Sequence, residues 1–352
     1  MLGASEPRQR PLPSALAACA EELRSAVRID RIEADVHALA APRSRLHARA
    51  RIELVEQWIA GRFRSAGWDV ERQPFAYESA AGWLDYRENG RKAATTTYER
   101  LEGANVLAFR RGTRSERTIV VGAHFDTVRD SPGADDNASG VAALLELAHV
   151  LGPANIRHDV LLAALDMEEI GFFGARALAE RLRASPRPAT ALILESIGYT
   201  APGQRLPAGV GVVYRGQTAR IARRGIADWT LVVYRADSTA VARAFGEALV
   251  HLGGPGAAVL ARDPLDLPIV GQLIARRIPW AVDFARSDHV PLWEAGIPAI
   301  QVTDTANFRN PNYHQPTDVP QTLDYACIAR VAAATALAVR QLAGTTSTAA
   351  RS

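Results

Sequence analysis

Five short stretches of this chain gather side chains that can hold a cation or move a proton. In Val121-Gly-Ala-His124-Phe-Asp126-Thr, an imidazole can bind a metal while the carboxylate two residues on orients it. Pro132-Gly-Ala-Asp135-Asp136-Asn137-Ala-Ser-Gly140 sets two adjacent carboxylates just ahead of a helix. Acids in that place can be simple N-caps, but two of them crowded beside a histidine repel one another unless a cation compensates. Leu165-Asp166-Met167-Glu168-Glu169-Ile-Gly171 carries three acids in four positions after an apolar run. A metal site would give such acids separate work, one as a ligand and one as a base. In Ile193-Leu194-Glu195-Ser196-Ile197-Gly198 a single carboxylate follows buried residues and could equally pair with an arginine. Asn310-Pro-Asn-Tyr313-His314-Gln-Pro316-Thr-Asp318 presents a tyrosine and a histidine side by side, in a loop stiffened by Pro311, Pro316 and Pro320. Each stretch alone has an ordinary structural explanation. Jointly they offer mixed nitrogen and oxygen ligation, which suits zinc or another divalent first-row ion. An odd number of carboxylates with two histidines also fits two ions sharing one bridging carboxylate.

The elements that must position these groups read as alternating strands and helices. Strands are expected at 69–77, 104–110, Thr118–Val121, Val160–Leu165 and Ala191–Leu194, with helices at 44–66, Gly140–Leu151 and Ala175–Leu182. Gly67 stops the first helix, and a polar stretch holding Gly82 and Gly90 reads as a hairpin or surface loop. Further on come strand candidates at Val210–Tyr214, Thr230–Tyr234 and Ala299–Val302. A helix over Ser238–Leu252 ends at Gly253-Gly254-Pro255, and an Ala-rich helix spans 324–343. Strands with so little polar alternation suit a central sheet covered on both faces, so the fold class is α/β: a three-layer α/β/α sandwich on a mixed, mostly parallel sheet. The acids and histidines fall at the carboxyl ends of the strands, the edge where open α/β sheets bind ligands. Residues 1–28 read as a loose lead-in, 29–343 as one domain, and 344–352 as a flexible tail.

Composition removes several function classes. Of 352 residues 48% are hydrophobic and 22% charged, which excludes a disordered chain. The net charge is +3 and Lys92 is the only lysine; no dense basic stripe with interleaved aromatics marks a nucleic-acid partner. No apolar run approaches the ~20 residues of a membrane span, so no membrane is expected. Cys19 and Cys327 are too few for a four-thiolate zinc site or a disulfide framework. The segment at 11–20 is too broken by prolines for a signal-peptide core, and a cytoplasmic location is expected.

In the order and wording of its motifs the chain resembles the zinc-dependent aminopeptidase family that also contains glutaminyl cyclases and glutamate carboxypeptidases. Gly-Ala-His-Phe-Asp-Thr, Gly-Ala-Asp-Asp-Asn-Ala-Ser-Gly, Met-Glu-Glu-Ile-Gly and Asn-Pro-Asn-Tyr-His succeed one another over roughly residues 104–343. That resemblance implies two zinc ions per chain, one on His124, Asp136 and Glu195 and the other on Asp136, Glu169 and His314. Asp136 rather than Asp135 would be the bridge, because the family's bridging aspartate stands three residues before the Ser of Ser139-Gly140. Asp126 would orient His124, Glu168 would be the general base, and Tyr313 would steady the oxyanion. The implied activity is that of a metallopeptidase acting as an exopeptidase on the N-terminal peptide bond of unblocked peptides or amino-acid amides. Cleavage would use a metal-bound hydroxide, with Glu168 as the base. A glutaminyl cyclase with one ion, a carboxypeptidase or an amidohydrolase are the alternatives. Glu195 departs from the commonest pattern, in which the position holds Asp. Ser287-Asp288-His289 also resembles a family segment beside the active site, and Phe172, Tyr199, Phe284 and Trp293 are candidates for a substrate-pocket wall.

Overall fold

In the computed structural model, residues 6–84, 94–152, 155–203, 206–267, 271 and 279–344 are described. Eight strands make one sheet: β1 (Asp69–Trp83), β2 (Thr95–Arg110), β3 (Thr118–His124), β4 (Asp159–Leu165), β5 (Ala189–Glu195), β6 (Thr230–Tyr234), β7 (Ala258–Arg262) and β8 (Ala299–Thr303). Their spatial order is β1-β2-β4-β3-β5-β8-β6-β7. β4, β3, β5 and β8 are parallel neighbours, and β6 is parallel to β7. β1/β2, β2/β4 and β6/β8 pair antiparallel. The expected mixed, mostly parallel sheet is the one observed.

Among the described residues the helices that cover it are α1 (Ser14–Ala26), α2 (Ile29–Leu39), α3 (Arg49–Ser65), α4 (Gly140–Leu151), α5 (Phe173–Ala184), α6 (Arg215–Arg224), α7 (Thr239–Gly253), α8 (His289–Glu294) and α9 (Tyr325–Ala343), with shorter turns between. Successive side chains of a strand point to opposite faces, and here both faces are dry. Ile119, Val121 and Ala123 pack with Val36, Ile59, Leu144, Phe245 and Leu337 of the helices on one side. Val120, Ala163 and Ile193 pack with Leu178 and Leu292 on the other. Every residue of β3 and β4 is buried, which is why neither strand shows polar alternation.

Several sequence expectations need correction. The lead-in at 1–28 is not loose among its described residues: α1 occupies Ser14–Ala26 and buries Ala20 and Leu23 in the core. Further upstream, Glu6 Oε1 accepts a hydrogen bond from Leu260 N on the edge strand β7. Val210–Tyr214 is not a strand; Gly209, at φ +80°, turns the chain into a short helical segment, Val210–Val213. β7 was unexpected because its alanine-rich sequence carries little strand preference. The strands read at 69–77 and 104–110 are the inner part of a longer β1/β2 hairpin. Gly90 and the tail beyond Gly344 lie outside the described residues. α9, at 19 residues, is long and apolar enough to cross a membrane by length and composition, against expectation; most of it is buried in this structure. Asp324 caps that helix by accepting from Cys327 N at 3.1 Å. Both cysteines are free.

Because β3, β4, β5 and β8 run parallel, their carboxyl ends reach one edge together. His124 sits opposite Leu165, and Glu195 opposite Thr303. The acid-bearing turns emerge from that edge.

Candidate metal centre

Each group in the cluster arrives on a different connection. His124 is the last residue of β3 and Glu195 the last of β5. Glu168 and Glu169 stand in the turn after β4, and Asp136 in the turn before α4. His314 comes from the proline-pinned loop after β8, with its backbone at φ +58°. Met167 and Ser196, beside Glu168 and Glu195, also have positive φ, at +57° and +48°. Such left-handed conformations are uncommon outside glycine and gather where a fold must aim a side chain.

Asp136 lies between the two histidines. Its Oδ1 is 3.1 Å from His124 Nε2 and its Oδ2 is 3.0 Å from His314 Nε2. Glu195 Oε2 is 3.3 Å from His124 Nε2, and Glu169 Oε2 is 3.3 Å from His314 Nε2. Glu168, His124 and Glu195 can each bring one ligand atom within 4.8 Å of the others, as can His124, Asp136 and Glu169. Asp135 turns away from the cluster. Its Oδ1 accepts from Gly198 N and its Oδ2 from Asn310 Nδ2, both at 2.9 Å.

The electrostatics follow from crowding in a dry site. Burial opposes charge on His124, yet Glu195 and Glu168 hold it protonated well above its usual range. His314 is raised to about 10 against the same burial by Glu169 and Asp136. Burial raises Glu169 to about 7 and pushes Glu168 well above the carboxylate range. For Asp136 burial is overcome by the two histidines, which hold its carboxyl far below normal. A divalent cation fits this set. Asp136 Oδ1 and His314 Nε2 are buried and close to opposite partners, yet neither makes a hydrogen bond. Such close but misaligned nitrogen and oxygen atoms have the chemistry of a mixed ligand shell.

Two aspartates hold the turns in place. Asp126 accepts from Glu168 N at 3.0 Å and Glu169 N at 3.2 Å, and its Oδ1 is 3.4 Å from His124 Nδ1. Asp318 does the same under the other turn, accepting from Asp135 N at 2.9 Å and Asp136 N at 3.2 Å. Gly133, at φ +58°, must be glycine: a Cβ there would stand 2.3 Å from Asp136 O.

Two further residues support the site in ways the sequence did not reveal: Ser287, whose segment was noted without a role, and Arg43. Ser287 Oγ donates to Glu195 Oε2 at 2.7 Å, so the glutamate at this position has its own anchor. His289, in the same segment, meets Phe284 O at 2.9 Å and packs edge-on against Trp293, and burial lowers its pKa to about 4. It is a core group, away from the ligand set. Arg43 is fully buried and carries the loop between His124 and Asp136. Its guanidinium donates to Phe125 O at 2.6 Å, Pro132 O at 2.7 Å and Gly133 O at 2.9 Å. Burial lowers its pKa to about 10, which leaves it charged at neutral pH. Replacing Arg43 with Met would strand several buried carbonyls and is expected to cost about 3–5 kcal/mol. The check is the midpoint of a urea unfolding curve, and an unshifted midpoint contradicts this account.

A cavity opens beside the cluster, lined by Glu195, Ser196, Asp283, Arg286 and Tyr313 among others. Asp283 and Arg286 pair at 3.2 Å. Tyr313 stacks on His314 with ring centroids 3.8 Å apart. Of the four proposed wall residues, Phe284 lines this cavity. Phe172 packs edge-on with Trp83, and Trp293 packs with His289.

Comparison with known proteins agrees with this fold. The chain is 36% identical over 227 residues to the uncharacterized protein YfbL of Escherichia coli (strain K12), covering 60% of this chain and 63% of that protein's length. Among solved structures it resembles BSAP, a zinc aminopeptidase from Bacillus subtilis, with a TM-score of 0.66 at 15% identity, covering 92% of this chain and 97% of that one. It also resembles the glutaminyl cyclase of Porphyromonas gingivalis, with a TM-score of 0.61 at 18% identity, covering 90% and 99%. At such identities the structural likeness shows the fold alone. The sequence profile of peptidase family M28 matches residues 105–227 and 266–339, more than half of the chain, and the protein belongs to that family.

Proposed function

We propose that the protein is a zinc-dependent aminopeptidase that hydrolyses the first peptide bond of unblocked peptides. The observation that carries this reading is Asp136, placed with one oxygen on each histidine, while Glu195 and Glu169 flank it. His124, Asp136 and Glu195 would hold one ion, and Asp136, Glu169 and His314 the other. Bound there, zinc supplies Lewis acidity at the scissile carbonyl and makes a water acidic enough to attack near neutral pH.

The chain's own groups do the rest. Glu168 stands within reach of the same cluster. Its carboxylate takes the proton of the attacking water and returns it to the leaving amine, so the proton count closes. The half-buried Tyr313, whose phenol is held protonated well above its normal range by desolvation, donates to the oxygen on which negative charge develops. Asp126 fixes the Glu168–Glu169 backbone and faces His124, so one carboxylate sets base and ligand together. The acid-rich edge gives a free α-ammonium group favourable neighbours, which favours exopeptidase cleavage.

The glutaminyl cyclase reading draws on the fold shared with the Porphyromonas gingivalis enzyme. Metal analysis of the purified chain, run beside aminoacyl amides, N-terminal glutamine peptides and blocked peptides, separates the two. Two zinc ions per chain and release of free amino acid are expected. One ion with pyroglutamate formation would replace this reading with the cyclase.

A further inference from the structure

The β1/β2 hairpin runs well past the sheet that it borders. β2 meets β4 only over Val106–Arg110, so Thr95–Asn105 and the facing half of β1 pair with no third strand among the described residues. A two-stranded ribbon is marginal in water unless one face finds cover. Here the cover is the turn after β4. Leu101 is buried with Met167, Ile170 and Phe173, and Phe75, Tyr77, Ala80 and Tyr98 pack around them. The Tyr77 ring lies 5.2 Å from that of Phe173. The other face of the ribbon is polar, with Glu78 and Glu102 both paired to the exposed Arg100.

This arm grips the turn at both ends. At one end Ala104 N donates to Asp166 Oδ2 at 3.0 Å, and Arg45 Nε donates to the same oxygen at 2.7 Å. At the other, Trp83 N donates to Ile170 O at 3.0 Å. Gly82 lies so close that a Cβ on it would stand 2.3 Å from Ile170 O. Glu168 and Glu169 lie between these anchors, and Asp126 holds their amides from another side. In a close-packed interior a shift at Ile170 has no slack in which to disappear.

We propose that the outer half of the hairpin is a positioning arm, which fixes through Ile170 where Glu168 and Glu169 stand and is itself ordered when zinc is bound. The proposal rests on the reading of Glu168 as the base and Glu169 as a ligand. Its residues act through the turn, so they position the reacting groups. Such coupling is reciprocal: whatever the arm contributes to the cluster, an occupied cluster returns to the arm.

The test compares the full-length wild type with Gly82→Ala, which forces a methyl group against Ile170 O, and with Thr97→Ala on the exposed face of the arm. A misplacement of about 1 Å in a reacting group costs up to about a hundred-fold in rate. With zinc saturating, Gly82→Ala should lower kcat for the best aminoacyl amide by about ten- to a hundred-fold, and KM should change little. Thr97→Ala should match the wild type. Normal kcat in folded Gly82→Ala overturns the proposal. So does a change confined to KM, which would make the arm a substrate contact.

A parallel measurement needs neither turnover nor a variant. Hydrogen exchange in peptides covering 75–84 and 95–103 of the wild type is followed by mass spectrometry, with and without zinc. Zinc should slow exchange of the arm by about five-fold or more. Exchange of α6, packed beside β7 at the opposite edge of the sheet, should stay unchanged. An arm indifferent to zinc, or slowed no more than α6, overturns the proposal. Should Gly82→Ala fail to fold, this measurement decides alone. If the wild type cleaves no amide while zinc still slows the arm, the aminopeptidase reading falls and the coupling of arm to turn stands.

Discussion

Glu168→Gln is expected to abolish turnover while leaving zinc content and folding unchanged. The argument is one of shape against protonation. Gln fills the same volume, and the backbone amide of residue 168 can still donate to Asp126 Oδ1, so the turn after β4 keeps its form. The carboxylates that approach the histidine Nε2 atoms to 3.0–3.3 Å are those of Asp136, Glu169 and Glu195, so the proposed ligand set does not include Glu168. What is lost is an oxygen able to accept and return a proton. Positioned acid–base groups contribute about 10²–10⁴-fold, so kcat should fall by that range with KM little changed. Zinc measured by atomic absorption should match the wild type. Normal kcat in this variant removes Glu168 from the mechanism.

Asp136→Ala should have the larger effect on metal. Both histidines face this one carboxylate, so its removal leaves two buried imidazoles without their common counter-charge and withdraws a shared ligand from both ions. Loss of a group that merely orients a ligand costs about 10–100-fold in affinity; removal of a bridging ligand should exceed that, with activity lost at ordinary zinc concentrations. Competition with a fluorescent chelator measures it. Asp135→Asn supplies the contrast. That neighbour is held by Gly198 N and Asn310 Nδ2, and its replacement should leave zinc affinity within a few-fold of the wild type. If the two variants exchange behaviour, the bridge is Asp135.

The cluster was legible because chemistry and topology leave the same mark. A buried strand that ends abruptly in His or Glu, as at His124 and Glu195, shows both where the sheet edge lies and what stands on it. The acid pairs at 135–136 and 168–169 and the imidazole of His314 stood out in the same way, but the choice of Asp136 and Glu169 as ligands came from the family resemblance of the motifs. The supporting groups left no such local trace. Arg43 looks like any other arginine in a chain with one lysine, and only the fold shows that its guanidinium reaches carbonyls about ninety positions away. Ser287 and Asp318 lie in stretches that drew notice, but their partners, Glu195 and the amides of Asp135 and Asp136, are fixed by tertiary structure. The helices α1 and α2 are not read from the sequence, although α2 buries Ile32, Val36 and Leu39 at helical spacing, and Val210–Tyr214 shows β-branched residues overruled by the turn at Gly209.

The separate origins of the ligands bear on how the molecule is made. His124 leaves the ribosome long before His314, with β4, β5, β6, β7 and β8 still to be synthesised and the last of these to be inserted between β5 and β6. Contacts so distant along the chain form slowly. A complete cradle for zinc therefore exists only once the loop carrying His314 has been placed beside the finished sheet. Until then the nascent protein must tolerate its own anionic edge.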